Sequence, residues 1–282
     1  MIRCAIAMGV VLGLFSMQAC TTTRGLPDPV ACLQIDDNTV RLRGEINDAM
    51  ALCAQQVITA DTTRVVVNTP GGDTRAGRAI ARHIAKLPRT LVIDGECSSS
   101  CGNYFVPAAH RLEATPGSFI AIHGTPDPAL VERSRRDLSE QLASAVLSGE
   151  ITEAERQVTL DEFRQRGQEN LDAEAAFADD FGVPKGWRLF RETPDASVTA
   201  AFAEHFEGGP RPVRQRGAAS AILIVEPALL ESCLPGVDPG NYRTNFEVTV
   251  IGDAREKAAL ERRSGVFSGS LTCKPPEGAP VS

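Results

Sequence analysis

Three consecutive serines, Ser98, Ser99 and Ser100, follow an apolar run and open a segment with helical spacing. A histidine, His123, closes another apolar run, "SFIAIH", 24 positions after Ser99. Serine needs a base to become a nucleophile, and histidine is the side chain that supplies one near neutral pH. Upstream, "VVVNTPGGDTRAG" places Gly71 and Gly72 where a β-branched run gives way to a helical pattern. Adjacent glycines at such a junction leave backbone N–H groups unblocked beside the positive end of a helix dipole, which suits a phosphate or a transient oxyanion. The phosphate-binding patterns G-x-x-x-x-G-K-[ST] and G-x-G-x-x-G are absent. Singly, each feature has a plainer reading: a tight turn, serines capping a helix, a packed histidine. His83 falls within an amphipathic helical pattern, and His110 and His205 fall near expected helix ends. Only His123 terminates an apolar strand and precedes a glycine.

The elements that must hold these residues alternate. Strands are expected at Thr39–Arg43, Arg64–Asn68, Thr90–Asp94, Arg111–Ala114 and Ser118–His123. Helices are expected at Asn47–Val57, after Gly72 with Ala76, Ile80, Ile84 and Leu87 on one face, and from Ser99 through Cys101, Tyr104, Phe105 and Ala108. This alternation over residues 31–190 predicts an α/β domain. Residues 128–167 are charged, with sparse apolar positions at Leu130, Leu138, Leu142, Val146, Val158 and Phe163. They read as a solvated helical hairpin docked by one narrow stripe, or as an oligomerisation arm. Residues 191–217 read as a linker with a short helix at Ala200–His205. Residues 218–282 shift to strand texture in "AILIVEPALLESC", "NFEVTVIGD" and "GVFSGSLTC", a small β-rich C-terminal region.

The chain has 282 residues, 43% hydrophobic and 23% charged, with a net charge of −7. That balance gives no electrostatic reason to expect a nucleic-acid partner. Residues 1–19 have Arg3 ahead of an apolar stretch, Cys4–Phe15, too short to span a bilayer comfortably, and read as an export signal. Ala19-Cys20 at its end fits a lipoprotein processing site, with Cys20 lipidated and residues 20–30 a tether. Plain secretion with cleavage near Ala19 is the other reading. Either way the chain is expected in the cell envelope or outside it, and lipid on Cys20 would make the membrane a partner. Export leaves Cys32, Cys53, Cys97, Cys101, Cys233 and Cys273, an even set in a compartment that permits disulfides. Six cysteines allow 15 connectivities; the simplest pairs near neighbours, 32–53, 97–101 and 233–273. No Cys/His cluster stands near Cys97 and Cys101, so no metal is expected.

Taken in order and spacing, Pro70-Gly71-Gly72, Ser99 within Cys97-Ser98-Ser99-Ser100-Cys101, and His123 resemble the Clp protease proteolytic subunit and its relatives in the ClpP/crotonase superfamily. Gly44-Glu45-Ile46, "FVPAAHRLEATPGS" and "LDAEAAFADDFGV" resemble further segments of that family, over roughly residues 39–185. The cysteines framing Ser99 resemble an exported branch. The resemblance implies a spiral of ββα units and a serine peptidase acting on peptides or proteins without a cofactor; export to a compartment where ATP is not expected makes it ATP-independent. Ser99 would be nucleophile, His123 general base, and the Gly72 and Ser100 N–H groups the oxyanion hole. It also implies a homo-oligomer, since relatives form rings or trimers. The family's acidic third member falls at Asn170 when the closing helix is anchored on Gly182, or near Asp172 by spacing from His123. An inactive binding or assembly module on the same fold, and crotonase-type enolate chemistry on an acyl thioester, are the alternatives. A Cys97–Cys101 bridge would pin the turn carrying Ser99; if reduced, Cys101 would simply pack in the helix.

Overall fold

Apolar, β-branched residues at alternate positions put 64–69 in the middle of a sheet, where Val65, Val67 and Thr69 are buried. A computed structural model describes residues 31–125, 128–189, 206–208, 211–214, 220–246 and 264–274. The export segment, Cys20 and the tether lie outside these, as do most of the 191–217 linker and its expected helix at Ala200–His205.

The chain is mixed α/β. It begins with β1 (Ala31–Asp36), β2 (Thr39–Arg43), α1 (Asp48–Val57), β3 (Arg64–Thr69), α2 (Thr74–Ile84) and β4 (Thr90–Ser98). A π-helical segment (Cys101–Phe105) then runs into α3 (Val106–Ala108), followed by β5 (Arg111–Ala114) and β6 (Phe119–Ile122). Next come α4 (Pro128–Leu147), α5 (Glu153–Phe181), α6 (Lys185–Leu189), β7 (Phe206–Glu207), β8 (Arg211–Arg214) and β9 (Ser220–Ile224). Last are α7 (Pro227–Cys233), α8 (Tyr242–Asn245), β10 (Ser264–Ser268) and β11 (Thr272–Cys273). The main sheet runs β1-β2-β3-β4-β6-β9-β10-β8, with β5 paired to the first half of β4. Strands β2, β3, β4 and β6 are parallel; β1 joins β2, and β9 joins β6, antiparallel.

Register decides what this sheet can position. Thr69 pairs with Cys97 and Ser98 with Ala121, so β3, β4 and β6 end side by side. In a parallel sheet the carboxyl ends are where ligand-handling loops gather. Here they bear Gly71-Gly72, Ser99 and His123.

The helices follow their capping chemistry. Asn47 caps α1 by accepting from the Met50 N–H at 2.9 Å, and Asp73 caps α2 by accepting from the Ala76 N–H at 2.7 Å. Ala76, Ile80 and Ile84 are buried as their spacing predicts. Leu87 does not continue that stripe. Helix α2 stops at Ile84, ahead of Pro88, and Leu87 is 41% exposed.

Three other expectations change. Strand β1 was not foreseen; it forms a hairpin with β2 closed by the Asn38 N–H donating to Asp36. The stretch "AILIVEPALLESC" is not all strand, because Pro227 opens α7 directly after β9. The charged helical hairpin extends past 167. Helix α5 starts at a capping box between Thr152 and Glu155 and ends only at Gly182, whose φ is 61°. It therefore absorbs the segment read as a separate closing helix. Its first half is largely exposed apart from the buried Leu160, and the other buried positions, Glu174, Phe177 and Ala178, fall near its end. Near the hairpin, Arg156 Nη2 donates to Ser139 Oγ at 2.8 Å.

The main core includes Tyr104, Phe105, Phe177 and Trp187, together with Leu229, Leu230 and Tyr242 from the C-terminal region, and Phe119, Ala121 and Ile224 form a second, small cluster. Tyr242 Oη donates to the Val225 carbonyl at 2.6 Å and accepts from the Ile120 N–H at 3.3 Å, stitching that region to β6. Disulfides join Cys32 to Cys53, Cys97 to Cys101 and Cys233 to Cys273, the near-neighbour pairing, with Cα separations of 6.2, 5.1 and 5.1 Å.

Arg89 is a buried cation satisfied by backbone alone. It donates to the carbonyls of Thr62, His83, Ile84 and Thr59 at 2.7 to 3.0 Å, closing the C-terminus of α2. Arg89→Met leaves these carbonyls without their donor, and each buried orphan costs about 1–3 kcal/mol. A drop of more than about 2 kcal/mol in unfolding free energy is expected by urea denaturation.

Candidate active site

Ser99 occupies the single-residue turn between β4 and the helical segment. Its φ of 55° is the only positive value at a non-glycine among the described residues. A serine held there is strained, and such strain persists only where surrounding contacts impose it. The contacts are backbone bonds on both sides. The Ser99 N–H donates to the Ala121 carbonyl at 2.9 Å, and its carbonyl accepts from the Asn103 N–H at 2.8 Å. The hydroxyl is thereby carried off the sheet edge toward His123, and Ser99 Oγ lies 2.6 Å from His123 Nε2.

The three serines are distinguished by their partners. Ser98 is buried, and its Oγ has no hydrogen-bond partner among the described residues. Ser100 Oγ donates to the Gly72 carbonyl at 2.7 Å. Only Ser99 meets the histidine. The loop after His123 is anchored in turn. Asn103 Nδ2 donates to the Gly124 carbonyl at 2.9 Å, and the Thr125 N–H and Oγ1 both donate to the Arg188 carbonyl.

The glycines explain themselves at this site. Gly71 has φ 98° and Gly72 φ 144°, both in the left-handed region. The Gly71 carbonyl accepts from the Ile46 N–H at 2.8 Å. In a trans peptide the following N–H points the opposite way, so the Gly72 N–H is turned from Ile46. Gly71 also abuts the turn at Ser99: a Cβ there would meet the Ser99 side chain, the Ser98 carbonyl and the Ser100 nitrogen. The Gly72 and Ser100 N–H groups find no backbone or side-chain acceptor among the described residues. Two amides without an acceptor among the described residues therefore lie on the two segments that meet at Ser99, one of them in the residue that follows it; acyl transfer through an oxyanion needs donors of this kind.

The Cys97–Cys101 disulfide brackets this turn, and both cysteines are fully buried. A loop of this size contributes about 2 kcal/mol by chain entropy; its more local effect is to limit how far Ser99 can relax from its strained φ. Replacing both cysteines with alanine should slow acylation of Ser99 by about tenfold to a hundredfold, the scale for sub-ångström to ångström misplacement. Labelling rate by a serine-directed phosphonate, read beside the unfolding midpoint, checks this. An unchanged rate in a folded variant would contradict it.

Helical geometry separates the two residues considered for the third position. Asn170 and Asp172 are about 200° apart around α5, so only one can face the domain. Asn170 does: its Oδ1 accepts from Arg78 Nη2 at 2.8 Å and lies 3.5 Å from Thr74 Oγ1. Asp172 is exposed and accepts from Gln168 Nε2 at 2.8 Å one turn back.

Sequence reasoning missed a buried ionic cluster beside this site. The carboxylate oxygen Oε1 of Glu174 on α5 accepts both Arg78 Nη1 from α2 and, at 2.5 Å, Tyr104 Oη from the π-helical segment. Burial pushes the Glu174 carboxyl above the usual carboxylate range, against the pull of Tyr104 and Arg78. Burial, then the nearby Glu174, push the Tyr104 hydroxyl up, so it stays protonated and donating. The available signal was positional: Glu174 sits three and four residues before Phe177 and Ala178, on the face that docks. Among the described residues no group of three or more His, Cys, Asp or Glu is arranged to hold a metal ion.

Fold and site together define an α/β protein with a hydrogen-bonded serine–histidine pair at the carboxyl edge of parallel strands. No family model and no curated protein matches the sequence. Among solved structures, the chain is similar to a point mutant of ClpP1 from Listeria monocytogenes, at 17% identity over 51% of this chain and 79% of that one, with a TM-score of 0.29. A likeness at that score carries no inference about the site, which stands on this chain's own geometry.

Proposed function

We propose that the protein is an ATP-independent serine peptidase or related acyl hydrolase on a ClpP/crotonase-type spiral. The observation that carries the reading is the 2.6 Å contact between Ser99 Oγ and His123 Nε2, made by a serine at φ 55°. In the proposed reaction His123 Nε2 takes the Ser99 hydroxyl proton as Oγ attacks the substrate carbonyl carbon. The carbonyl oxygen becomes an oxyanion between the Gly72 and Ser100 N–H groups. Collapse breaks the scissile bond, and the imidazolium gives its proton to the departing amine or alkoxide. Water, deprotonated by the same imidazole, then releases the acyl group and restores Ser99.

The export pattern of residues 1–19 and the three disulfides support placing this activity in the cell envelope, tethered by lipid on Cys20. Self-association, as the family resemblance implies, belongs to the same reading. A non-catalytic binding module is the second reading, favoured by one observation. Of the two residues that the resemblance offers for the family's acidic third member, the one facing α2 is Asn170, an amide, engaged by Arg78 and Thr74. Replacing such an acid by its amide in a serine protease has cost about 10⁴ in turnover.

Fluorophosphonate labelling of the purified mature protein decides between them. The peptidase reading expects labelling of wild type and none of Ser99→Ala or His123→Ala. No labelling of wild type, or equal labelling of all three, would sink it.

A further inference from the structure

The Arg78–Glu174–Tyr104 cluster lies where three elements meet, and the two candidate oxyanion donors belong to two of them. The Gly72 amide lies one residue before Asp73, the N-cap of α2, whose second turn carries Arg78. The Ser100 amide opens the helical segment that carries Tyr104 one turn later. Resting on the serine-hydrolase reading, we infer that Glu174 is a positioning residue for the oxyanion hole. Held on α5, it fixes α2 and the nucleophile-bearing segment against one another through Arg78 and Tyr104, and so sets the spacing of the Gly72 and Ser100 amides.

Four observations converge on this. The cluster is sealed: Arg78, Glu174 and Tyr104 are 5%, 4% and 1% exposed. Both donors converge on a single atom, Glu174 Oε1, while Oε2 has no hydrogen-bond partner among the described residues. One carboxylate oxygen therefore fixes two elements at once. The gap it spans is tight, since a Cβ at Gly77 on α2 would come within 2.8 Å of the Tyr104 ring and 3.2 Å of Ser100 Cβ. Finally, the two elements are tied again at the site by Ser100 Oγ donating to the Gly72 carbonyl. Without the cluster, that single neutral bond and apolar contact would have to hold the register.

A buried ion pair contributes little stability beyond what apolar packing of the same volume supplies. What it adds here is direction. The wide turn at Cys101–Phe105 agrees, because π-helical turns inside helices recur at functional sites. Oxyanion stabilisation depends on donors placed before the reaction begins, so loosening the cluster should be felt in the chemical step rather than in substrate binding.

Tyr104→Phe is the most discriminating variant. It deletes one hydroxyl and keeps the ring that packs edge-on against Phe177 at 5.2 Å. With a chromogenic acyl ester, kcat should fall about tenfold, a fraction of the ~10²–10³ lost when an oxyanion donor is removed outright. KM should stay within about twofold of wild type. Glu174→Ala should lower kcat at least as much, and the double variant with Tyr104→Phe should be no worse than Glu174→Ala alone, because without Oε1 the Tyr104 hydroxyl has nothing left to hold. Folding is followed in the same samples by thermal unfolding. A folded Tyr104→Phe with wild-type kcat, a loss confined to KM, or a loss equal to the unfolded fraction overturns the inference while the hydrolase reading survives. Absence of turnover and of labelling in wild type overturns both.

Discussion

Ser99→Ala is expected to lower turnover by about 10⁶, with His123→Ala equal to it and the double variant no worse than either. The magnitude follows from the two groups acting as a unit. Without the hydroxyl there is nothing to acylate; without the imidazole the hydroxyl keeps its proton at neutral pH. The flanking serines give the contrast that makes the result specific. Ser98→Ala removes a buried hydroxyl without a hydrogen-bond partner among the described residues, and should leave turnover within about threefold. Ser100→Ala removes the Oγ bond to the Gly72 carbonyl but keeps the Ser100 amide, and should cost about tenfold. A plain steady-state assay across the four single variants reads this order. If all three serine variants lose activity equally, the assignment of Ser99 is wrong.

Gly71→Ala is the second large effect, and its cause is steric. The residue sits at φ 98°, and the added methyl would press on Ser99 Cβ while lying 2.7 Å from the Ser98 carbonyl and 2.9 Å from the Ser100 nitrogen. Two of those atoms are backbone, so no rotamer change relieves the clash. The strand end must retreat from the turn that presents the hydroxyl. Labelling of Ser99 should become undetectable, and stability should fall by about 2–4 kcal/mol from left-handed strain and overpacking together. Gly149→Ala is the control. Gly149 also has a left-handed φ, 80°, but no atom lies within 4 Å of its would-be Cβ. Its cost should be limited to about 1 kcal/mol of backbone strain, with labelling unchanged. The difference between the two glycines measures the close approach itself.

The parts of this site legible in the sequence are those written locally. Gly71-Gly72 at a strand end, serines at a helix start and His123 closing an apolar run each carry a backbone signature in adjacent residues. Parallel pairing of their strands then brings them together without further instruction. The helix expected from Asn47 is legible for the same reason, its cap lying in the adjacent residues. What stayed illegible depends on partners far along the chain. Arg78 reads as one more polar residue on an amphipathic helix until Glu174, 96 positions later, is set against it. Glu174 itself sits in a run of alanines on a helix whose earlier turns are charged and exposed, so its burial is a property of the docking rather than of the local pattern. The choice between Asn170 and Asp172 had the same character. Spacing along the chain admits both, and only the rotation of α5 turns Asn170 toward α2. Pro227 shows the opposite failure, a local signal present but outweighed by the apolar run around it.

The central claim is that Ser99 is an activated nucleophile, and the position of a covalent adduct tests it most directly. After reaction of the wild-type protein with a fluorophosphonate at neutral pH, followed by reduction, proteolysis and tandem mass spectrometry, one phosphonate per chain is expected on Ser99. Ser98 and Ser100 should be unmodified, and the adduct should be absent from His123→Ala. An unmodified Ser99 in a folded protein, or an adduct that settles on another residue and persists in Ser99→Ala, would contradict the account.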